Sequence, residues 1–206
     1  MKLLNALGAF AVIALLSACE VAPIQTGPIP ADRPQTTGQT SPRLSASAAA
    51  RSFVQVVRTL EPVAERECRN RTTGMNCDFN IVVDDRPGQP ANAFQTLDKN
   101  GRPIVAFTLA LIADARNEDE LAFVLGHEAA HHIAGHIGRQ QQNAMAGAVI
   151  FAGLATLSGG DANAVRTAQE LGAEVGARRY SKDFELEADA LGTIITARAG
   201  YDPLRG

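Results

Sequence analysis

The four histidines of this chain lie within one short run, GHEAAHHIAGH. His127 and His131 bracket Glu128 in the pattern H-E-x-x-H. Residues four apart lie on one face of an α-helix, so two imidazoles on adjacent turns can reach one zinc ion. The glutamate between them can act as a general base on a zinc-bound water. The spacing therefore predicts one zinc ion per chain and a hydrolase that uses Glu128 as its catalytic base.

A tetrahedral catalytic zinc needs a third protein ligand besides water. No aspartate or histidine stands at the downstream spacing used by the metzincins, so the downstream carboxylates are the candidates. They are Asp161, Glu170, Glu174, Asp183, Glu185, Glu187 and Asp189. Glu185 and Asp189 share a helical face, so one can bind the metal while the other hydrogen-bonds a ligand histidine. Spacing favours this pair without choosing between its members, and it points Glu187 elsewhere, into solvent.

The residues before the motif predict a buried helix with a defined start. Asn117 is a suitable N-cap, and Glu120 completes a capping-box pattern. An apolar stripe follows, formed by Leu121, Val124 and Leu125. A buried helix is a rigid platform, which metal ligands require.

Apolar spacing elsewhere predicts further helices and a small sheet. Helices are predicted over residues 47–69, 162–179 and 181–199, and strands over residues 79–83, 93–97 and 103–108. Pro62 is expected to kink or interrupt the first helix. The apolar segment 145–157 is interpreted as a buried helix, with a flap near the site as the alternative. The expected fold class is α+β, mainly helical, with a small β-sheet beside the H-E-x-x-H helix.

The N-terminus has the pattern of an export signal. Lys2 precedes an apolar run, and the sequence Leu-Ser-Ala-Cys that ends at Cys19 resembles the lipobox of bacterial lipoproteins. Residues 1–18 are therefore predicted to be a lipoprotein signal peptide, and Cys19 is predicted to carry the lipid. An uncleaved anchor helix is the alternative, but the apolar run is shorter than the roughly 20 residues that span a bilayer.

Residues 19–47 are rich in Pro, Thr, Gln and Ser and hold few large apolar side chains, so they are predicted to form a flexible tether. Residues 48–206 are long enough for one domain with a core. Glu20 stands where an aspartate would signal retention in the inner membrane. The domain is therefore expected to be lipid-anchored in a bacterial envelope, at the outer membrane and facing the periplasm.

Cys68 and Cys77 are the two remaining cysteines. An exported protein meets an oxidising compartment, so a disulfide between them is predicted. The alternatives are two free thiols or two metal ligands, although this spacing is not that of a zinc knuckle. The net charge is −3 and no basic cluster is present, so nucleic acid is not an expected partner.

Several motifs together resemble peptidase family M48, which includes HtpX-type membrane proteases, CAAX prenyl proteases and BepA-like periplasmic proteins. One is the run NEDELAFVLGHEAAH from Asn117 to His131, with a further histidine at His136. The others are Asn-Ala-Phe at 92–94, Ser-x-x-x-Glu-x-x-Ala-Asp at 181–189 and Gly-Tyr-Asp-Pro at 200–203. The resemblance covers about residues 50–206 and implies a zincin-like fold of the gluzincin type.

The resemblance also implies roles for individual residues. His127, His131 and Glu185 match the zinc ligands of the family. Glu128 matches the general base, and Asp189 matches a carboxylate that hydrogen-bonds a ligand.

The other two histidines are interpreted differently. His136 matches a position that is often histidine in the family, but a continuous helix would place it about 140° around the axis from His131. It is therefore interpreted as a structural residue or as a partner of a ligand. His132 would face away from the ligand pair and is interpreted as a packed or surface side chain.

The sequence departs from the family pattern at two points. Lys182 stands where the family usually has arginine. Many members also use a later histidine or arginine to stabilise the oxyanion, and no free histidine remains here for that task. The nearby donors are Arg178, Arg179 and Tyr180, so weakened catalysis is one expectation.

The predicted function is that of a zinc-dependent metalloendopeptidase that acts on misfolded or unassembled envelope proteins. The substrate is expected to lie extended against the sheet edge near residues 91–108. A chaperone or assembly factor for outer-membrane components, with weak peptidase activity, is the alternative, and a lipoprotein scaffold without a metal is a third. The expected partners are protein or peptide substrates and, through the lipid, the membrane.

Overall fold

The computed structural model describes residues 44–178 and 181–206. The helices in these ranges are α1 (Ala46–Arg71), α2 (Leu109–Asp114), α3 (Glu118–Ile133), α4 (His136–Leu157), α5 (Ala162–Arg178) and α6 (Ser181–Arg198). The strands are β1 (Asn80–Asp84), β2 (Ala93–Leu97) and β3 (Pro103–Thr108). The fold is α+β and mainly helical, as predicted. The predicted signal peptide, Cys19 and most of the tether lie outside the described residues. No helix within the described ranges combines the length and the apolar character needed to cross a membrane.

The sheet is mixed and has β3 at its centre, in the order β1-β3-β2. β1 runs parallel to β3, and β2 runs antiparallel to β3 with Phe94 opposite Ala106. A tight turn joins β2 to β3, in which the Gly101 N–H donates to the Asp98 carbonyl at 3.0 Å. Gly101 has φ 79°, a value that glycine adopts without strain. β2 is left as an edge strand, and its position beside α3 places that edge next to the motif helix.

One hydrophobic core joins α1, β3, α3 and α6. Phe53 of α1 packs on Phe107 of β3 with ring centroids 5.1 Å apart, and Leu60 and Leu121 are fully buried. α1 continues through Pro62 as one helix, so of the two expectations for this proline, a kink or an interruption, the interruption is wrong. The apolar face on both sides of this proline is buried in the same core, and tertiary packing offsets the hydrogen bond that proline removes.

α4 and α5 form a helical hairpin that packs mainly on itself. The two backbones meet at Gly147 and Gly172, where a side chain on either residue would collide with the carbonyl of the other. The outer face of α4 remains apolar and open: Met145 is 69%, Val149 73% and Leu157 87% exposed. The prediction of a buried helix for segment 145–157 is therefore wrong, because α5 covers only the glycine-bearing face.

Cys68, near the end of α1, and Cys77, just before β1, form a disulfide with their Cα atoms 5.7 Å apart. Both side chains are buried. The bond therefore links the helix that covers the core to the sheet.

Replacing both cysteines by alanine is expected to lower the free energy of unfolding by about 2–3 kcal/mol, because the open chain regains the entropy of a short loop. The melting temperature should fall by roughly 5–10 °C. Thermal unfolding followed by circular dichroism measures the change, and a reductant should produce the same fall in the wild-type protein. A melting temperature that neither change affects would contradict a stabilising role for the bond.

Candidate metal centre

The start of α3 is fixed by its cap, as the sequence predicted. The Asn117 side chain accepts a hydrogen bond from the Glu120 N–H at 3.0 Å, and the Glu120 carboxylate accepts from the Arg116 N–H at 2.9 Å. Leu121 and Leu125 are buried along the face that packs on the core. The helix is therefore held at its start and along one face, which fixes the direction of the side chains that follow.

α6 crosses α3 at two glycines, and this close approach brings the second set of functional residues to the first. A Cβ atom on Gly192 would lie 2.9 Å from both the Cα and the N atom of His127. A Cβ on Gly126 would lie 2.9 Å from the Gly192 carbonyl oxygen. The backbones therefore touch at the first residue of the motif and at the glycine before it. The preceding turns of α6 carry Glu185 and Asp189 to the histidines.

Three potential ligand side chains converge at this crossing: His127, His131 and Glu185. The two Nε2 atoms are 2.9 Å apart. The Glu185 carboxylate places Oε2 3.4 Å from His127 Nε2 and Oε1 3.6 Å from His131 Nε2. A tetrahedral ion with bonds of about 2.0–2.1 Å separates its ligand atoms by roughly 3.3 Å. The three measured distances lie close to this value, so the side chains are near enough to share one zinc ion.

The hydrogen bonding of His127 also fits a cation at this point. Its Nδ1 lies 2.9 Å from Asp189 Oδ1, and a carboxylate can only accept, so in the neutral ring the proton is on Nδ1 and the lone pair is on Nε2. That lone pair faces both the Glu185 carboxylate and His131 Nε2. A cluster of electron-pair donors directed at one point is stabilised when a cation occupies it.

Glu128 lies on the same helix, between the two ligand histidines. Burial raises the pKa of its carboxyl group above the ordinary value. His127 lowers this pKa, the negative charge of Glu185 raises it further, and a hydrogen bond from the Gln95 backbone N–H lowers it. A carboxylate with a raised pKa is a stronger base, which suits the role predicted for it. The contact with Gln95 also ties Glu128 to edge strand β2.

His132 belongs to the core and not to the site. Its Nε2 lies 2.7 Å from the Asn76 carbonyl oxygen and donates to it, and its ring meets the Phe79 ring edge-on at 5.4 Å. Burial lowers its pKa. Of the two interpretations offered by the sequence, the packed side chain is the observed one.

His136 lies much closer to the ligands than the helical wheel predicted. α3 ends at Ile133, and Gly135 adopts a left-handed conformation with φ 67° before α4 begins. This turn redirects the chain, so His136 is buried with its Nδ1 2.8 Å from His131 Nδ1. The angle of about 140° assumed one continuous helix, and that assumption is wrong.

Glu187 is a member of the site that the sequence did not reveal. Its carboxylate oxygen Oε2 lies 3.1 Å from His136 Nε2 and 2.6 Å from Arg139 Nη1. The expectation that Glu187 points away from the site is therefore wrong, whereas its side chain is exposed to solvent as expected. Arg139, three positions after His136, could have indicated an acidic partner for this part of the chain. To identify Glu187 as that partner required knowledge of the helix break at Gly135.

A cleft of 410 Å³ opens in front of these side chains. Its walls come from β2 with the residue before it, from the start of α4 and from α6. The lining residues are Asn92, Ala93, Phe94, Gln95, His127, Glu128, His131, His136, Ile137, Gln140, Ser181, Phe184 and Glu185. An extended peptide in this cleft would pass both the edge strand and the three converging side chains.

A helix with two histidines and a glutamate, a carboxylate from a crossing helix and an adjacent edge strand together define a metallopeptidase site. The model of Peptidase family M48 matches residues 51–205. The chain belongs to this family, in agreement with the resemblance of its motifs, and it is a peptidase. A comparison with curated proteins gives no match.

The close crossing of α3 and α6 predicts a strong effect of one added methyl group. Replacing Gly192 by alanine should push the two helices apart, lowering the free energy of unfolding by about 1–3 kcal/mol and weakening metal binding. Urea unfolding and zinc titration of the metal-free protein measure the two effects.

Gly153 offers the matched control for this substitution. It lies inside α4, and a Cβ there would meet nothing within 4 Å. Replacing Gly153 by alanine should leave metal binding unchanged and raise stability by up to about 1 kcal/mol. Equal behaviour of the two variants would contradict a crossing set by Gly192.

Proposed function

We propose that this chain is a zinc-dependent metalloendopeptidase that binds one zinc ion through His127, His131 and Glu185. The observation that carries the proposal is the convergence of these three side chains, whose ligand atoms lie within 4.8 Å of one another, beside the partly buried Glu128. Two imidazoles and one carboxylate form a ligand set typical of catalytic zinc.

The chemistry assigns a role to each residue around the ligands. A bound zinc ion would act as a Lewis acid on the peptide carbonyl and would lower the pKa of a water molecule. Glu128 accepts the proton of the attacking water and donates it to the leaving amine. Asp189 holds the His127 ring in the orientation in which Nε2 faces the centre.

The substrate is proposed to bind as an extended strand along the outer edge of β2. One side of β2 pairs with β3, and no strand pairs with its other side among the described residues. Backbone groups along such an edge are available to a peptide. The Gln95 N–H is already bonded to Glu128, so a peptide would pair with the other backbone groups of this edge and lie next to the proposed base.

The proposed location is the bacterial envelope, with a lipid on Cys19 at the outer membrane and the domain facing the periplasm. The signal-like residues 1–18 and the tether-like residues 19–47 support this proposal. A tether of this length reaches roughly 30 Å, so misfolded or unassembled envelope proteins near the membrane are the proposed substrates.

The test is hydrolysis of an unfolded protein by the purified full-length chain. Reduced, alkylated casein should be cut internally, a chelator should stop the reaction, and an equimolar amount of zinc should restore it. Elemental analysis should give one zinc per chain. A fully zinc-loaded protein that leaves the casein intact would contradict the proposal.

A chaperone or assembly factor with weak peptidase activity is the second candidate. The exposed apolar face of α4 favours it, because exposed apolar patches mark interaction sites and an unfolded chain offers apolar side chains to such a site. Suppression of the aggregation of a denatured protein, at equal strength with and without zinc, would support this second function.

A further inference from the structure

His131 is connected to a row of side chains that leads away from the proposed metal centre. His136 Nδ1 lies 2.8 Å from His131 Nδ1, on the side of the ring opposite the ligand atom. His136 Nε2 then lies 3.1 Å from Glu187 Oε2, and the same oxygen accepts a hydrogen bond from Arg139 at 2.6 Å. These contacts link α3, α4 and α6.

The position of each proton along this row follows from what the groups can donate. Arg139 can only donate, so the Glu187 oxygen that it contacts is an acceptor, and the same oxygen accepts from His136 Nε2. In the neutral form of His136 the proton is then on Nε2, which leaves a lone pair on its Nδ1. That lone pair accepts from His131 Nδ1–H, and the lone pair of His131 is left on Nε2.

Packing holds the His136 ring in the orientation that this row requires. Its ring stacks on Phe184 with centroids 4.5 Å apart and an interplanar angle of 13°. The Arg139 guanidinium also lies over the Phe184 ring, 4.5 Å from its centroid. His136 is 4% exposed, so water does not compete for its nitrogens.

We propose that Glu187 and His136 are positioning residues that hold His131 in the tautomer whose Nε2 can bind a metal ion. The inference rests on the proposed function, since it concerns the same centre. Asp189 does the same for His127 by a direct contact of 2.9 Å. Glu187 acts through an intervening imidazole, because His131 Nδ1 faces His136.

The test compares four substitutions in the full-length chain. Glu187→Ala removes the acceptor, whereas Glu187→Gln keeps an amide oxygen that can still accept from His136 Nε2–H. His136→Phe keeps a ring to stack on Phe184 but removes both nitrogens. Glu174→Ala is the matched control, because it removes an exposed glutamate that pairs with Arg178 on α5.

Two measurements are made on each variant, and neither depends on peptidase activity. Zinc affinity is measured by competition with a chelator, and the His131 tautomer is read from ring ¹⁵N chemical shifts of the metal-free protein. Glu187→Ala and His136→Phe should weaken zinc binding about 10–100-fold. In Glu187→Ala, the His131 proton should also move in part to Nε2. Glu187→Gln and Glu174→Ala should match the wild type in both measurements.

Two results would overturn the inference. One is a Glu187→Ala protein that keeps wild-type zinc affinity and the Nδ1–H tautomer of His131. The other is a Glu187→Gln protein that loses as much affinity as Glu187→Ala, since charge rather than proton position would then be responsible. If casein hydrolysis fails while the tautomer and the affinity change as expected, the proposed peptidase function fails and this inference stands.

Discussion

Replacing Glu128 by glutamine should leave the zinc content unchanged while peptide hydrolysis falls by a factor of about 10²–10⁴, the usual contribution of a general acid–base group. Glutamine has nearly the same shape, so the contact with β2 and the packing of α3 should persist. It cannot accept a proton from water at neutral pH. Cleavage of casein and elemental analysis, carried out on the same preparation, measure the two properties separately.

The matched control for Glu128→Gln is Glu120→Gln, which lies on the same helix and contributes to its cap. This variant should keep its activity, because an amide oxygen can still accept from the Arg116 N–H. Rapid hydrolysis by a zinc-loaded Glu128→Gln protein would remove Glu128 from the role of base. Loss of zinc from that protein would instead show that Glu128 supports metal binding.

Replacing Glu185 by alanine should have the largest effect on metal binding of the carboxylates on α6. Among the residues that the structure describes, Glu185 is the one carboxylate within 3.6 Å of both ligand histidines, and its removal leaves two imidazoles. Zinc affinity should fall by more than the roughly 10–100-fold loss typical of removing a group that only hydrogen-bonds a ligand. Chelator competition measures the affinity, and hydrolysis should disappear with the metal.

Asp189→Ala is the informative comparison, because the sequence spacing did not choose between these two carboxylates. This variant should lose about 10–100-fold in zinc affinity and regain metal and activity at higher zinc concentration. The zinc-dependent rise in melting temperature should be smallest for Glu185→Ala. If Asp189→Ala proves the more severe change, the two assignments must be exchanged.

The parts of the fold that the sequence predicted are those with a local physical cause. The cap at Asn117 depends on one side chain and on the backbone N–H three residues later, and it is present as expected. Strands β2 and β3 have the predicted bounds because Asn100-Gly101 is a strong turn signal between two β-rich runs. The approach of Glu185 to the histidines followed from motif order and family resemblance.

The parts that could not be predicted depend on geometry between elements. The left-handed residue Gly135 sits inside a run that otherwise favours helix, and it turns His136 towards the ligands. The contact of Glu187 with His136 exists only because of that turn. Val149 is exposed because α4 packs on α5 through its glycine-bearing face. The hydrophobicity of the segment does not indicate which face of the helix is packed.

The hairpin of α4 and α5 has a consequence for how the chain tolerates change. The hairpin begins at His136, and Phe184 of the following helix α6 stacks on His136 with ring centroids 4.5 Å apart. The two ends of the hairpin therefore lie close together. Its helices pack mainly on each other, and its tip, Gly159-Gly160, is exposed. If α4 and α5 each gain or lose one helical turn at this tip, the spacing of the ligand-bearing helices α3 and α6 stays unchanged. The length of the hairpin is therefore a variable that evolution or protein engineering can adjust independently of the metal centre.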